Sequence, residues 1–255
     1  MRKSKTLARI RNGETAKVCA LGTYTPPYVA LAARAGYDCI WLDLEHKMIG
    51  NVEVQALLAY CRIYDIDCMV RTPTREKVGL YRYLEDGATG LMVPHVGSAE
   101  ETRDLVNATK FPPIGDRGMD NAGFDSDFRI NPDNQQFSED ANRETFLVVQ
   151  IETPSAVENV EEIAAVPGLD LMFVGPGDLG LRLSQDGDTD GSRLEQAHER
   201  VAAAAKANSI AWGCPTSGEE GIKHRQSQGA RFLANAGEFS MCAKGLSDGV
   251  TEFES

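Results

Sequence analysis

The chain has 255 residues, of which 42% are hydrophobic and 25% are charged, the composition of an ordinary globular protein. Its net charge of −12 argues against nucleic acid or an anionic membrane as a partner. No apolar run approaches the roughly 20 residues of a membrane span, and the basic N-terminus lacks the apolar core of a secretory signal.

In chain order, short apolar segments alternate with longer amphipathic ones. The predicted strands are residues 17–21, 39–43, 67–70, 90–93, 146–150, 171–174, 210–212 and 231–233. The predicted helices include residues 52–64, 76–85, 99–107, 156–165, 192–208 and 218–228. Eight strand–helix units in about 250 residues predict an α/β fold, a closed (β/α)8 TIM barrel. The alternative is a doubly wound open sheet, which more often has fewer strands.

No change of composition along the chain marks a linker, so residues 1–255 are predicted to form a single domain. Residues 111–143 are an exception within it, because they are rich in Gly, Asp and Asn and show no periodicity. They are predicted to form a long irregular loop. No GxGxxG motif follows the first strand, so no dinucleotide cofactor is indicated.

The cysteines show no CxxC spacing, and several lie in apolar runs. This pattern predicts free thiols in a reducing cytoplasm rather than a zinc or disulfide framework. The six are Cys19, Cys39, Cys61, Cys68, Cys214 and Cys242.

Polar residues follow the predicted strands, and in a barrel the carboxyl ends of the strands carry the chemistry. The simplest alternative to a shared functional site is that these residues are polar only because loops are polar in general. The residues at these positions are Asp43, Glu45 and His46 after the second strand, Arg71 and His95 after the third and fourth, Gln150 and Glu152 at the fifth, and Asp178 after the sixth.

Glu152 and Asp178 leave adjacent strands, so the two carboxylates can share a hard divalent cation. Each residue also has a purely structural interpretation. Glu152 would stabilise the N-terminus of the next helix through its charge, and Asp178 would be the N-cap of a short helix. Open positions around such a cation suit water and a chelating substrate.

His46 suits proton transfer near neutral pH, and Asp43 three residues earlier could orient it. Arg71 suits a carboxylate or a developing enolate oxygen, unless it only pairs with a neighbouring acid. His95 has no nearby acid in the sequence and is expected to be a structural loop residue. A 2-oxo acid that chelates the cation could then undergo aldol cleavage or decarboxylation.

At these residues the chain resembles the class II, metal-dependent pyruvate aldolases, which include 2-dehydro-3-deoxyglucarate aldolase and 4-hydroxy-2-oxoheptanedioate aldolase. The resemblance runs from about residue 22 to residue 245. It rests on the segments "WLDLEHKMIG", "MVRTP", "GATGLMVPHVGSAEE", "VVQIETPSAVENVEEIAAVPGLDLMFVGPGDLG" and "GARFLANAG".

The resemblance implies a (β/α)8 barrel that assembles as a homo-oligomer, usually a hexamer. It implies Mg²⁺, Mn²⁺ or Co²⁺ with no organic cofactor, and Glu152 and Asp178 as the metal ligands. It also implies a proton-transfer dyad of His46 and Asp43.

By the same resemblance, Arg71 steadies the pyruvate enolate with Gln150 beside it. The main-chain amides of Gly177 and Asp178 would hold the substrate carboxylate.

The predicted function is therefore an aldolase, a carbon–carbon lyase that forms or cleaves 4-hydroxy-2-oxo acids to or from pyruvate and an aldehyde. The alternatives are an oxaloacetate-type decarboxylase, an acyl-CoA lyase, or a non-catalytic barrel. The segment after Arg117 and the last strand end, residues 236–238, differ from the family pattern, so the aldehyde is left unassigned.

Overall fold

The computed structural model of the protein describes residues 1–120, 122–129 and 133–254. Eight parallel strands in these ranges close into a barrel, each paired with the next in chain order and the last with the first. The predicted (β/α)8 TIM barrel is confirmed. The strands are β1 (Ala16–Leu21), β2 (Cys39–Asp43), β3 (Asp67–Arg71), β4 (Gly90–Val93), β5 (Phe146–Ile151), β6 (Leu171–Val174), β7 (Ala211–Pro215) and β8 (Phe232–Gly237).

Helices connect the strands around the outside of the barrel, except the first helix, which precedes β1, and the last, which follows β8. They are α1 (Lys5–Arg11), α2 (Pro26–Ala35), α3 (Asn51–Ile63), α4 (Lys77–Glu85), α5 (Ala99–Thr109), α6 (Asn134–Glu144), α7 (Pro154–Glu158), α8 (Val160–Ala164), α9 (Pro176–Gln185), α10 (Ser192–Ala207), α11 (Gly218–Ser227) and α12 (Glu238–Glu254). The helix predicted over residues 156–165 is divided at Asn159, whose side chain donates a hydrogen bond to the Gly97 carbonyl at 2.8 Å. No helix in the described ranges combines the length and the apolar character needed to cross a lipid bilayer.

The segment 111–143 is partly helical, which corrects the prediction of an irregular loop over its whole length. Helix α6 fills the second half, and Asp133 caps it by accepting hydrogen bonds from two main-chain N–H groups. Phe137 and Ala141 lie one turn apart and are buried in a small apolar cluster. The periodicity was hard to detect because most other residues of α6 are polar. Residues 121 and 130–132 lie outside the described ranges.

A buried ion pair stabilises the first half of this segment. Arg117 Nη2 donates to Asp125 Oδ2 at 2.6 Å, and both side chains are almost completely buried. The guanidinium carbon of Arg117 also lies 4.5 Å from the centroid of the Phe111 ring. Asp125 therefore supplies the counter-charge that a buried guanidinium requires.

Alternate residues of each strand fill the interior of the barrel, because side chains alternate between the two faces of a strand. Leu7 of α1 joins this interior cluster at the amino end, with Ile10 packed beside it. At the carboxyl end the next inward positions are Asp43, Arg71 and Gln150, so the interior ends in a polar layer. The apolar layers below include Val18, Cys39, Met69, Met92, Val148, Phe173 and Phe232.

The amino end of β3 binds the N-terminal segment of the chain. Asp67 is fully buried and accepts hydrogen bonds from the Ser4 hydroxyl at 2.7 Å and from the Thr6 main-chain N–H at 2.8 Å. Arg2 pairs with the other oxygen of Asp67. Strand β3 therefore has a carboxylate at its amino end and Arg71 at its carboxyl end.

Candidate active site

Arg71 and Asp43 form the centre of the polar layer. The guanidinium donates two hydrogen bonds to the carboxylate, from Nε at 2.9 Å and from Nη2 at 2.8 Å. Burial disfavours the charge of Asp43, but Arg71 and the main-chain N–H groups of His46 and Glu45 outweigh it, so the pKa of this carboxyl is lowered. Asp43 is thus an anion that fixes the plane of the guanidinium.

Glu45 and Trp41 contact the rest of the Arg71 guanidinium. Nη1 lies 2.9 Å from Glu45 Oε2, and the guanidinium carbon lies 4.9 Å from the centroid of the Trp41 ring, in cation–π contact. A guanidinium has five N–H donors. Nε and Nη2 each donate to Asp43, whereas the contact of Nη1 with Glu45 is an ion pair without a hydrogen bond, so the remaining N–H groups are left for a bound ligand.

Glu152 is buried beside Gln150 at the end of β5. Gln150 Nε2 donates to Glu152 Oε2, whereas Gln150 Oε1 has no hydrogen-bond partner in the described structure. Gly175 lies against both side chains: a Cβ atom there would be 2.7 Å from Gln150 Nε2 and 2.9 Å from Glu152 Oε2. The turn between β6 and α9 reaches these side chains only because residue 175 is a glycine.

His95 contacts two carboxylates. Its main-chain N–H donates to Glu152 Oε1 at 2.6 Å, and its Nδ1 lies 2.8 Å from the same oxygen. Its Nε2 lies 3.1 Å from Glu45 Oε1. His95 therefore lies among the candidate site residues, and the acids that it contacts follow other strands, where the sequence around His95 does not show them.

Asp178 lies in the first turn of α9, and Arg182 joins it to the end of β5. Arg182 Nη1 donates to Asp178 Oδ1 at 3.0 Å and to the Glu152 carbonyl at 3.2 Å. Burial raises the pKa of Glu152, and the negative charges of Glu45 and Asp178 raise it further, against the opposing effect of His95. The two predicted metal ligands therefore share one negatively charged region.

Helix α9 begins after Gly175, which is its N-cap, so the alternative role of Asp178 as the N-cap is not observed. The first N–H groups of a helix have no acceptor within the helix. Those of Gly177 and Asp178 are thus suited to an anionic ligand. A Cβ atom at Gly177 would meet nothing within 4 Å, so this turn is open to approach.

His46 lies at the exposed edge of the site. Asp43 accepts a hydrogen bond from the main-chain N–H of His46 at 3.3 Å, and the imidazole Nε2 lies 3.6 Å from Glu45 Oε2. The contacts of the described residues do not join the side chains of His46 and Asp43. Their action as a dyad therefore stays a prediction.

Sequence reasoning gave no functional role to three residues that contact the predicted ones. Glu45 and His95 follow strand ends, which was the available signal, but their partners come from other strands. Arg182 follows Asp178 by four residues on a helix, a spacing that brings side chains together.

The oxygen atoms of this region suit a hard divalent cation. They are the carboxylates of Glu152 and Asp178 and the unpartnered amide oxygen of Gln150. Within the described ranges, no set of three or more His, Cys, Asp and Glu side chains is arranged to hold a metal ion. The residues therefore fit a cation bound by few protein ligands, with water and substrate completing its coordination.

Comparison with known proteins agrees with this fold. The chain matches the family model of the HpcH/HpaI aldolase/citrate lyase family over residues 20–244. It is 32% identical to a 4-hydroxy-2-oxovalerate aldolase of Novosphingobium aromaticivorans, with 95% of this chain and 92% of the relative covered. It is 33% identical to a hydroxypyruvate/pyruvate aldolase of Roseovarius nubinhibens, with 88% and 87% covered.

Among solved structures, that of an HpcH/HpaI aldolase from Desulfitobacterium hafniense matches with a TM-score of 0.89 at 28% identity, covering 97% of this chain and 96% of that one. The chain belongs to the HpcH/HpaI aldolase/citrate lyase family. The resemblance predicted from its motifs is confirmed.

Proposed function

We propose that this aldolase forms or cleaves 4-hydroxy-2-oxo acids, to or from pyruvate and an aldehyde. It uses Mg²⁺, Mn²⁺ or Co²⁺ and no organic cofactor. The observation that carries the proposal is the polar layer at the carboxyl ends of the strands. There a fixed guanidinium, Arg71, lies in the same group of ion pairs as the buried carboxylate of Glu152.

Glu152 and Asp178 would hold the cation, with Gln150 Oε1 beside them. When bound, a divalent cation stabilises developing negative charge on an enolate oxygen as a Lewis acid. The free N–H groups of Arg71 add donors for the same oxygen, and Asp43 and Glu45 keep the guanidinium in place before substrate arrives.

The N-terminus of α9 would bind the carboxylate of pyruvate through the main-chain N–H groups of Gly177 and Asp178. The open space at Gly177 supports this role. Bound there, the 2-oxo acid would be held at one end by main-chain donors and near its keto oxygen by Arg71. This arrangement orients the substrate for reaction.

His46 would move the proton of the reaction. In cleavage, the hydroxyl on the aldehyde-derived carbon loses its proton to the imidazole while the bond between that carbon and C3 breaks. The electron pair of that bond stays with the pyruvate enolate, which is then protonated at C3. The exposed position of His46 supports this role, because the aldehyde must enter from the open side.

The chain is further proposed to form a homo-oligomer, with a hexamer implied by its resemblance. Helix α12 exposes a row of large apolar side chains to solvent. They are Phe239, Leu246, Val250 and Phe253, each at least 59% exposed. Exposed apolar patches of this kind mark surfaces that bind another protein. A cytoplasmic location is proposed because the six cysteines are free thiols, five of them buried.

The proposal is tested by following pyruvate release from a 4-hydroxy-2-oxo acid before and after EDTA treatment. Activity should disappear with the chelator and return with Mg²⁺, Mn²⁺ or Co²⁺. Oxaloacetate and an acyl-CoA thioester should be assayed in parallel. Undiminished activity in EDTA would reject the metal role, and turnover of oxaloacetate or the thioester alone would reject the aldol reaction.

A further inference from the structure

His95 contacts two carboxylates of the site, those of Glu152 and Glu45. It has no part in the chemistry proposed above. Two of its atoms, the main-chain nitrogen and Nδ1, approach the same oxygen, Oε1 of Glu152, at 2.6 and 2.8 Å. Its third contact, at 3.1 Å, is to Glu45, which lies 2.9 Å from Arg71. The imidazole thus lies between the proposed metal ligand and the residue that supports the enolate-binding guanidinium.

The backbone of His95 has a left-handed conformation, with φ of +57°. Residues with a Cβ atom seldom adopt it, and such strain is concentrated at functional sites. The consequence is visible in the contacts, because this conformation directs the main-chain N–H and the ring of His95 to one oxygen of Glu152.

The two oxygens of Glu152 have different surroundings. Oε1 receives both contacts from His95. Oε2 accepts a hydrogen bond from Gln150 Nε2 and faces the turn between β6 and α9, since a Cβ atom at Gly175 would lie 2.9 Å from it. Asp178, the second proposed ligand, lies three residues after Gly175, in the first turn of α9.

We propose that His95 is a positioning residue that holds Oε1 of Glu152, so that Oε2 is presented toward Asp178 for the divalent cation. This inference rests on the proposed metal-dependent function. Side chains that orient a metal ligand contribute typically 10–100-fold to metal affinity. Without the imidazole, Oε1 would be held only by the main-chain N–H of residue 95, so the carboxylate would have more freedom to rotate and binding the cation would have to restrict it.

The test is Mn²⁺ binding to the full chain without substrate, measured by the electron paramagnetic resonance signal of free Mn²⁺. Two variants, His95→Asn and His95→Gly, remove the imidazole and keep the main-chain N–H, and both residue types accept a positive φ. His224→Asn is the matched control, because His224 also contacts a glutamate, Glu195 at 3.0 Å, but on the outside of the barrel.

Both His95 variants should bind Mn²⁺ about tenfold or more weakly than the unmodified protein at a temperature where all variants are folded. His224→Asn should bind it normally. Added imidazole should restore part of the affinity of His95→Gly and should not change that of the unmodified protein. A purely structural role would lower the melting temperature without this change in affinity.

Unchanged or tighter Mn²⁺ binding by the His95 variants would overturn the inference alone, because the unmodified protein would still bind the cation. No Mn²⁺ binding by the unmodified protein would instead reject the proposed metal role, and the inference with it. The two failures are therefore distinguished in one experiment.

Discussion

Arg71 and Asp43 are register partners at the last rung of the β2–β3 pair, and two hydrogen bonds of 2.9 and 2.8 Å join their side chains. The strand register therefore sets the position of the guanidinium before any ligand binds. The carboxylate that was predicted to orient His46 orients Arg71 in this structure.

Replacing Asp43 with Asn should lower kcat/KM for aldol cleavage by about a hundredfold, because a guanidinium that is slightly misplaced no longer meets the reacting oxygen. Steady-state kinetics with a 4-hydroxy-2-oxo acid measures this. Arg71→Lys should also lower kcat/KM, although it keeps the positive charge, since an ammonium cannot form the same paired contacts. Near-normal kcat/KM in both variants would contradict the proposed role of the pair.

Replacing Gly175 with Ala should displace Gln150 and Glu152, because the new methyl group would lie 2.7 Å and 2.9 Å from their polar atoms. We expect a loss of Mn²⁺ affinity and of activity in a folded protein, since the φ of residue 175 is −93° and suits alanine. The matched control is Gly180→Ala on α9, where the added atom would meet only Leu194 at 3.7 Å. Equal Mn²⁺ affinity and equal activity in the two variants would contradict the proposed effect of a side chain at residue 175.

Replacing Asp125 with Asn should destabilise the protein by about 3–5 kcal/mol, because it leaves the buried Arg117 without its counter-charge. The free energy of unfolding in urea measures the loss. Asp127→Asn removes the partly exposed pair with Arg62 and should cost only about 0–1 kcal/mol. A small loss of unfolding free energy in both variants would show that Arg117 pairs with another group when Asp125 is replaced.

Glu195 should make stability depend on pH in the acid range. Burial opposes its charge, but His224, Gln228 and Arg225 outweigh it and lower the pKa of Glu195 to about 2 from 4.5. Because the folded pKa is the lower one, this stabilisation is present above pH 4.5 and is lost as pH falls toward 2. Glu195→Gln should therefore lose less stability over that range in urea titrations. Glu219→Gln, on the exposed face of α11, should follow the unmodified protein.

The sequence predicted the barrel because its strands are compact apolar runs, and it predicted Arg71 and Gln150 because each is polar at the end of such a run. The contacts of His95 depend on a left-handed turn and on carboxylates that follow two other strands, and no local sequence pattern shows either. Helix α6 was missed because few apolar residues define its buried face.

Strand β3 has only five residues, with Asp67 at one end and Arg71 at the other. Asp67 is the attachment point of the N-terminal segment through Ser4 and Thr6. The first residues of the chain therefore close the amino end of the barrel, and removing them would expose the apolar interior side chains there to water. For protein engineering, the N-terminus is not an inert place for a fusion or a deletion, although it lies at the opposite end of the barrel from the chemistry.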